Sequence, residues 1–177
     1  MKGLVNADPT NSEWQRSMAV AHGDVGDALR VRGDSAAALR SYEEDLAIWR
    51  MLADAQPANS QWQISLSLRH NKVGDAQRAQ GDLRSALKSY QAALAIRKRL
   101  VASDPDQDEL QLAFALSAWM VGTIEQGQSD AERLAILRDG LSAVDRLAQR
   151  RSLDPHEVAL HETLSKAVKA ADGAAPP

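Results

Sequence analysis

The chain has 177 residues, a formal net charge of −3 and no cysteine. This length is typical of one domain, and the slightly acidic balance argues against a nucleic-acid or anionic-membrane surface, which would need an excess of basic residues. The absence of cysteine excludes disulfides and thiol chemistry. No stretch approaches 18 uncharged apolar residues, and the first residues lack the apolar run of a signal peptide. We therefore expect a cytoplasmic protein with no membrane partner.

The sequence repeats itself with a period of 48 residues. Residues 8–55 align without a gap with residues 56–103, giving 22 identities in 48 positions, and a weaker third copy covers residues 104–150. The identical pairs include Pro9/Pro57, Asn11/Asn59, Trp14/Trp62, His22/His70, Gly26/Gly74, Gly33/Gly81, Ala38/Ala86 and Tyr42/Tyr90. A period of this length is typical of stacked supersecondary units that present a surface to a partner.

Each repeat predicts two helices. In repeat 1, Ser12 and Gln15 fit a capping box at the start of the first helix, and the apolar residues that follow recur at helical spacing. Gly33 stands where that periodicity stops, because glycine accepts the left-handed conformation that ends many helices. Asp34 can then cap the second helix. Repeat 2 shows the same features, with Gly81 at the turn.

The ends of the repeat array differ from its middle. In repeat 3 we expect the inter-helix glycine to be replaced near Gln128 and one residue to be lost, which aligns Leu137 with Tyr90. A capping helix is predicted over residues 154–171, with Glu157 completing a capping box, and residues 172–177 are predicted to be a disordered tail. Residues 4–9 align with residues 100–105, which indicates that the chain begins inside a repeat.

The spacing of small and aromatic residues resembles the tetratricopeptide repeat. Gly26, Gly33, Ala38 and Tyr42 have the spacings of that motif, and repeat 2 keeps all four. The resemblance implies an all-α fold, a right-handed α-solenoid of antiparallel helical hairpins, as one domain over residues 1–171. The period is longer than the usual 34 residues, as in arrays of the kinesin-light-chain type and in bacterial arrays. It also implies a scaffold that binds a protein or peptide partner.

The same resemblance predicts where a peptide would bind. First helices of such arrays line the concave face, and the matching positions place seven candidate residues in a peptide-binding groove: Asp27, Arg30, Asn71, Asp75, Arg78, Trp119 and Thr123. Asn71 would hydrogen-bond the main chain of an extended peptide. Asp27/Arg30 and Asp75/Arg78 are either intrahelical ion pairs or a ladder of alternating charge for the ligand. Trp119 is either a ligand anchor or a core residue.

The remaining candidate residues favour a non-enzymatic protein. His22 and His70 are equivalent repeat positions, and His156 and His161 are five residues apart, which does not suit two metal ligands on one helical face. No phosphate-binding loop or nucleophile motif is present, so we expect no catalytic residue, cofactor or metal. The alternative function is a structural, assembly or sensor arm of a larger multidomain protein. In that case the incomplete first repeat would self-associate as a homodimer through Trp14 and Met18.

Overall fold

Residues 11–174, which the computed structural model describes, form seven α-helices and no β-strand. The helices are α1 Ser12–Val31, α2 Ser35–Ala55, α3 Ser60–Ala79, α4 Leu83–Ser103, α5 Asp108–Gly122, α6 Asp130–Arg150 and α7 Pro155–Ala174. The predicted all-α class is therefore confirmed. None of these helices is both long and apolar enough to cross a membrane. The alignment of residues 4–9 with a second helix lies outside the described residues.

The helix bounds follow the 48-residue period in the first two repeats. The first helices α1 and α3 each have 20 residues, and the second helices α2 and α4 each have 21. In repeat 3 the first helix, α5, has only 15 residues. The last helix, α7, continues to Ala174, past the expected end at residue 171; the rest of the predicted tail, residues 175–177, is not described.

The capping box predicted at Ser12 and Gln15 is wrong, because Asn11 is the N-cap residue of α1. The Asn11 side-chain oxygen accepts hydrogen bonds from the backbone N–H groups of Glu13 and Trp14, both 3.1 Å long. Asparagine is among the best N-cap residues because its oxygen reaches these otherwise unpaired donors. Ser12, one residue later, is already helical.

The start of α3 repeats this arrangement. Asn59 accepts a hydrogen bond of 3.2 Å from the backbone N–H of Trp62. Gln63, which the sequence pattern assigned to a capping box, instead donates from its Nε2 to the backbone oxygen of Ala53 at 3.3 Å. Gln63 thus ties the start of α3 to the end of α2.

The inter-helix glycine of repeat 3 is kept, contrary to prediction, but it is shifted along the sequence. Gly127 has a φ of 84°, close to the 81° of Gly33 and the 82° of Gly81. Positive φ is the left-handed region that favours glycine. The sequence alignment missed this glycine because α5 ends early, at Gly122, which moves the turn along the sequence. After the turn, Ser129 and Glu132 form a capping box at the start of α6.

The chain divides into two compact units, residues up to Ser89 and residues from Tyr90 onward, with the boundary inside α4. In the N-terminal unit α1 packs on α2, and α2 packs on α3. In the C-terminal unit α5 packs on α6, and α6 packs on α7. The core of the C-terminal unit includes Phe114, Ala115, Leu137, Ala143, Val144, Leu164 and Ala171.

Candidate functional site

One repeat position carries an exposed apolar side chain on every first helix. Val20 on α1 is 46% exposed, Leu68 on α3 is 43% exposed and Leu116 on α5 is 42% exposed. The three residues are 48 residues apart in the sequence. Scattered exposed aliphatic residues are ordinary on protein surfaces, but the same position left exposed in three successive repeats is a pattern. We call these three residues the first-helix ladder.

In the C-terminal unit the ladder residue lines a cleft. Leu116 borders a cleft of about 350 Å³ together with Leu112, Ala113, Asp154, His156, Glu157 and Leu160. The apolar side chains come from α5 and from Leu160 of α7, and the polar groups surround the first turn of α7. The cleft is therefore an apolar depression with one polar edge, which is the usual composition of a ligand-binding depression.

The polar edge of this cleft is held by the capping box that the sequence predicted. The Asp154 side chain accepts hydrogen bonds from the backbone N–H groups of His156 and Glu157, at 2.8 and 2.9 Å. Glu157 in turn accepts from the backbone N–H of Asp154 at 2.8 Å. Hydrogen bonds from Arg151 and from the Asp154 backbone lower the pKa of Glu157 to about 2. Glu157 is therefore ionised at neutral pH and is paired with Arg151.

Asp27 contacts another repeat. Its carboxylate accepts hydrogen bonds of 2.7 Å from the Tyr42 hydroxyl and from the Lys72 ammonium group, 45 residues away. Burial alone would raise the pKa of Asp27, but the hydrogen bonds from Lys72 and Tyr42 outweigh it and lower the pKa. Arg30 is close enough to add a smaller lowering effect on Asp27. Asp27 therefore joins α1, α2 and α3 and is only half-exposed.

The other predicted groove residues of the N-terminal unit differ in their exposure to solvent. Arg30, Asp75 and Arg78 are exposed on α1 and α3. Asn71 is buried, so in this conformation its amide does not face an extended peptide.

Trp119 and Thr123 belong to the C-terminal unit. Trp119 is half-buried and packs against the core of that unit, which favours the core alternative that the sequence left open. The hydroxyl of Thr123, the residue after the end of α5, donates to the backbone oxygen of Met120 at 3.2 Å.

Sequence reasoning missed a buried ion pair between repeats. Asp45 is fully buried, and its carboxylate lies 3.2 Å from Nε of Arg69. Burial raises the pKa of Asp45, and the charge of Arg69 opposes that rise. The guanidinium of Arg69 also lies 4.9 Å from the ring centroid of Trp49, within cation–π range.

The next repeat places its arginine on the opposite helix. Arg97, the repeat equivalent of Trp49, is buried and donates to the hydroxyl of Ser117, the equivalent of Arg69, at 2.7 Å. Burial lowers the pKa of Arg97 to about 10. Both clusters could have been suspected from the sequence. The two contacting positions, Trp49/Arg97 and Arg69/Ser117, both change residue type from one repeat to the next.

The histidines serve the structure in different ways. His22 lies 2.8 Å from Glu44, and His161 lies 2.8 Å from Asp145. His70 is buried, and this burial, together with the charge of Arg50, lowers its pKa to about 4. Within residues 11–174, no group of three or more histidine, aspartate or glutamate residues is placed to hold a metal ion.

No protein-family model matches the sequence. A comparison with curated proteins also finds no match. The functional argument therefore depends on the residues of this chain.

Proposed function

We propose that this chain is a tetratricopeptide-like, right-handed solenoid of antiparallel helical hairpins that binds a peptide segment of a protein partner. The ligand would contact the exposed side of the first helices within one of the two units. The observation that carries the proposal is the first-helix ladder of Val20, Leu68 and Leu116. An apolar side chain kept at the water-exposed position of three repeats is best explained by a partner that covers it.

The surroundings of the ladder support a peptide as the ligand. Leu116 lies in a cleft large enough for an aliphatic side chain, and Arg30 and Arg78 are exposed basic residues at one repeat position. In the N-terminal unit a segment with apolar and acidic residues would match Val20, Leu68 and these arginines, with apolar contacts giving most of the affinity and charges giving orientation. In the C-terminal unit an apolar side chain would fit the cleft beside Leu116. The proposal is of a cytoplasmic binding protein, and it involves neither catalysis nor a cofactor.

The test begins with a peptide selected from a random library displayed on phage, with the whole chain as the target. Its affinity is then measured by fluorescence anisotropy for the wild type and for Leu68→Ser and Leu116→Ser. The substitution in the unit that binds the peptide removes an apolar contact, so we expect the Kd of that variant to rise about tenfold, which corresponds to about 1.4 kcal/mol.

Met51→Ser is the matched control. Met51 is 49% exposed, like the ladder residues, but it lies on a second helix, α2. We expect this variant to bind the peptide as the wild type does. Equal weakening by Met51→Ser, or wild-type affinity in both ladder variants, would refute the assignment of the binding surface.

A further inference from the structure

A second cleft of the C-terminal unit contains no residue of the first-helix ladder. It has a volume of about 320 Å³, at the small end of the range of about 300–1,000 Å³ that ligand pockets occupy. Its apolar surface consists of Phe114 of α5 and of Val101 and Ala102 of α4. Phe114 is buried, Val101 is half-buried and Ala102 is exposed, so Phe114 forms the floor and the two α4 residues form a wall. The cleft can therefore cover a short apolar group.

Three charged side chains surround this apolar surface. They are Lys98 of α4 and Asp139 and Arg146 of α6. Nζ of Lys98 lies 3.3 Å from the Asp139 carboxylate, so these two charges neutralise each other. Arg146 is seven residues beyond Asp139 on α6, which is about 10 Å along the helix axis and too far for a direct ion pair. The net charge of the cleft is therefore the positive charge of Arg146.

Arg146 differs from the other arginines of α6 in the kind of partner that it has. The other three pair with carboxylates: Arg133, Arg138 and Arg150. Among residues 11–174, no carboxylate forms an ion pair with Arg146, and its Nη2 instead donates to the neutral Oε1 of Gln111 at 3.2 Å. An arginine at the edge of an apolar cleft thus keeps a charge that no acidic residue of the described chain balances.

The contact with Gln111 holds this guanidinium in place. The Gln111 side chain is buried, and its Nε2 donates to the backbone oxygen of Pro105 at 2.7 Å. A guanidinium carries five N–H donors, and the bond to Gln111 uses one of them. The amide therefore orients Arg146 without neutralising it, which is the arrangement that suits recognition of an anion.

We propose that this cleft binds a small monocarboxylate with an apolar body, such as a short aliphatic carboxylic acid. The carboxylate pairs with Arg146, whose planar guanidinium matches the two oxygens of the ligand. The aliphatic chain covers Phe114, Val101 and Ala102 and removes their apolar surface from water. An amine of the same length is disfavoured, because it would meet the positive charges of Arg146 and Lys98.

The apolar wall of this cleft is not a general property of the repeat. The residue of repeat 1 that corresponds to Ala102 is Asp54. A carboxylate at this position would repel an anionic ligand and would place a charge on the apolar surface. Ala102→Asp, which introduces the residue of repeat 1, should therefore abolish the binding of the carboxylate.

The carboxylate site is separate from the proposed peptide surface. Leu116 of the ladder borders the other cleft of this unit, whose edge carries Asp154 and Glu157. These acidic residues disfavour an anionic ligand there. Leu116→Ser should therefore bind the carboxylate as the wild type does, and Arg146→Gln should bind the selected peptide as the wild type does. The two proposals can fail separately.

Titration of the whole chain with hexanoate tests the site, and hexanol and hexylamine are ligands of the same length with a different charge. Backbone amide shifts of isotopically labelled chain are followed by NMR at a fixed salt concentration. We expect saturable shifts around Ala102, Phe114 and Arg146, and a Kd for hexanoate at least about tenfold below those for the other two ligands. Equal affinities for hexanoate and hexanol, no saturable binding, or shifts centred on Leu112 and Leu160 would overturn the proposal.

Arg146→Gln is the central variant, and Arg138→Gln is its matched control. Both remove one positive charge from α6, but Arg138 is outside the cleft and pairs with Asp172. We expect Arg146→Gln to lose the preference for hexanoate over hexanol and Arg138→Gln to keep it. Circular dichroism checks the fold of each variant, and Ala102→Asp tests the site from the α4 wall. An equal loss in both arginine variants, or wild-type binding of hexanoate by Ala102→Asp, would contradict the assignment.

Discussion

The ring of Tyr42 lies directly on Gly26, so that a Cβ atom added to Gly26 would stand 2.5 Å from Cε1 of the ring. Repeat 3 makes the same contact with other residues, because a Cβ atom on Gly122 would stand 2.5 Å from Cγ of Leu137. The glycine therefore lets the large side chain of the second helix pack against the backbone of the first. The contact also confirms the predicted alignment of Leu137 with the tyrosine position.

Substitution of this glycine should destabilise the fold through a clash. We expect Gly26→Ala to lower the free energy of unfolding by about 1–3 kcal/mol, even though alanine favours a helix by about 1 kcal/mol. In a Tyr42→Ala background the clash is absent, so Gly26→Ala should be neutral or stabilising. Urea unfolding followed by circular dichroism measures both. The same loss in both backgrounds would show that the contact with Tyr42 is not the cause.

The buried ion pair gives a second prediction. Asp45→Ala leaves the Arg69 guanidinium largely buried without its carboxylate, and we expect a loss of about 3 kcal/mol. Asp45→Ala with Arg69→Ser reproduces the residues of the next repeat, Ala93 and Ser117, and should lose less than the sum of the two single variants. Additive losses in urea unfolding would contradict the coupling.

The Asp27 contact predicts a smaller effect. Tyr42→Phe removes the hydroxyl that donates to Asp27 and should lower the free energy of unfolding by about 1 kcal/mol at neutral pH. It should also raise the pKa of Asp27, measured by NMR titration, since one of the hydrogen bonds that lower it is lost. In an Asp27→Ala background the phenylalanine substitution should have little effect. An unchanged pKa of Asp27 would indicate that Lys72 alone sets it.

Buried His70 makes the stability depend on pH. Its pKa is about 4 in the folded chain and near 6.5 when unfolded, so the unfolded state binds more protons between these values. The group has no effect on the free energy of unfolding above pH 6.5 and lowers it as the pH falls toward 4; the difference between 6.5 and about 4 corresponds to a loss of about 3 kcal/mol. His70→Ala, which matches Ala118 of repeat 3, should remove this part of the pH dependence. Equal slopes for both chains would show that His70 does not titrate in this range.

The repeat pattern predicts the local structure where the cause is local. The left-handed conformation of Gly33 and Gly81 follows from glycine at a break in periodicity, and the capping box of Asp154 and Glu157 follows from three-residue spacing. The prediction at Ser12 missed the N-cap by one residue, because Asn11 and Ser12 are both good caps and only the backbone geometry decides between them.

The contacts between helices were harder to predict because they depend on distant residues. The spacing of Asp27 and Arg30 predicts an intrahelical pair or a charge ladder, whereas Lys72, 45 residues away, pairs with Asp27 in the structure. The burial of Asn71 depends on the packing of α3, which the repeat pattern does not specify because the equivalent residues are Gly23 and Trp119. The sequence shows an apolar residue at each position of the first-helix ladder, but only the structure shows that these side chains are exposed.

The most direct test of peptide recognition is a map of the bound surface. The selected peptide is titrated into isotopically labelled chain, and backbone amide shifts are followed by NMR. We expect the shifted amides to cluster on first helices, around Val20 and Leu68 of the N-terminal unit or around Leu116 of the C-terminal unit. Shifts that cluster instead on the second helices, around Met51 of α2, would contradict the proposed function.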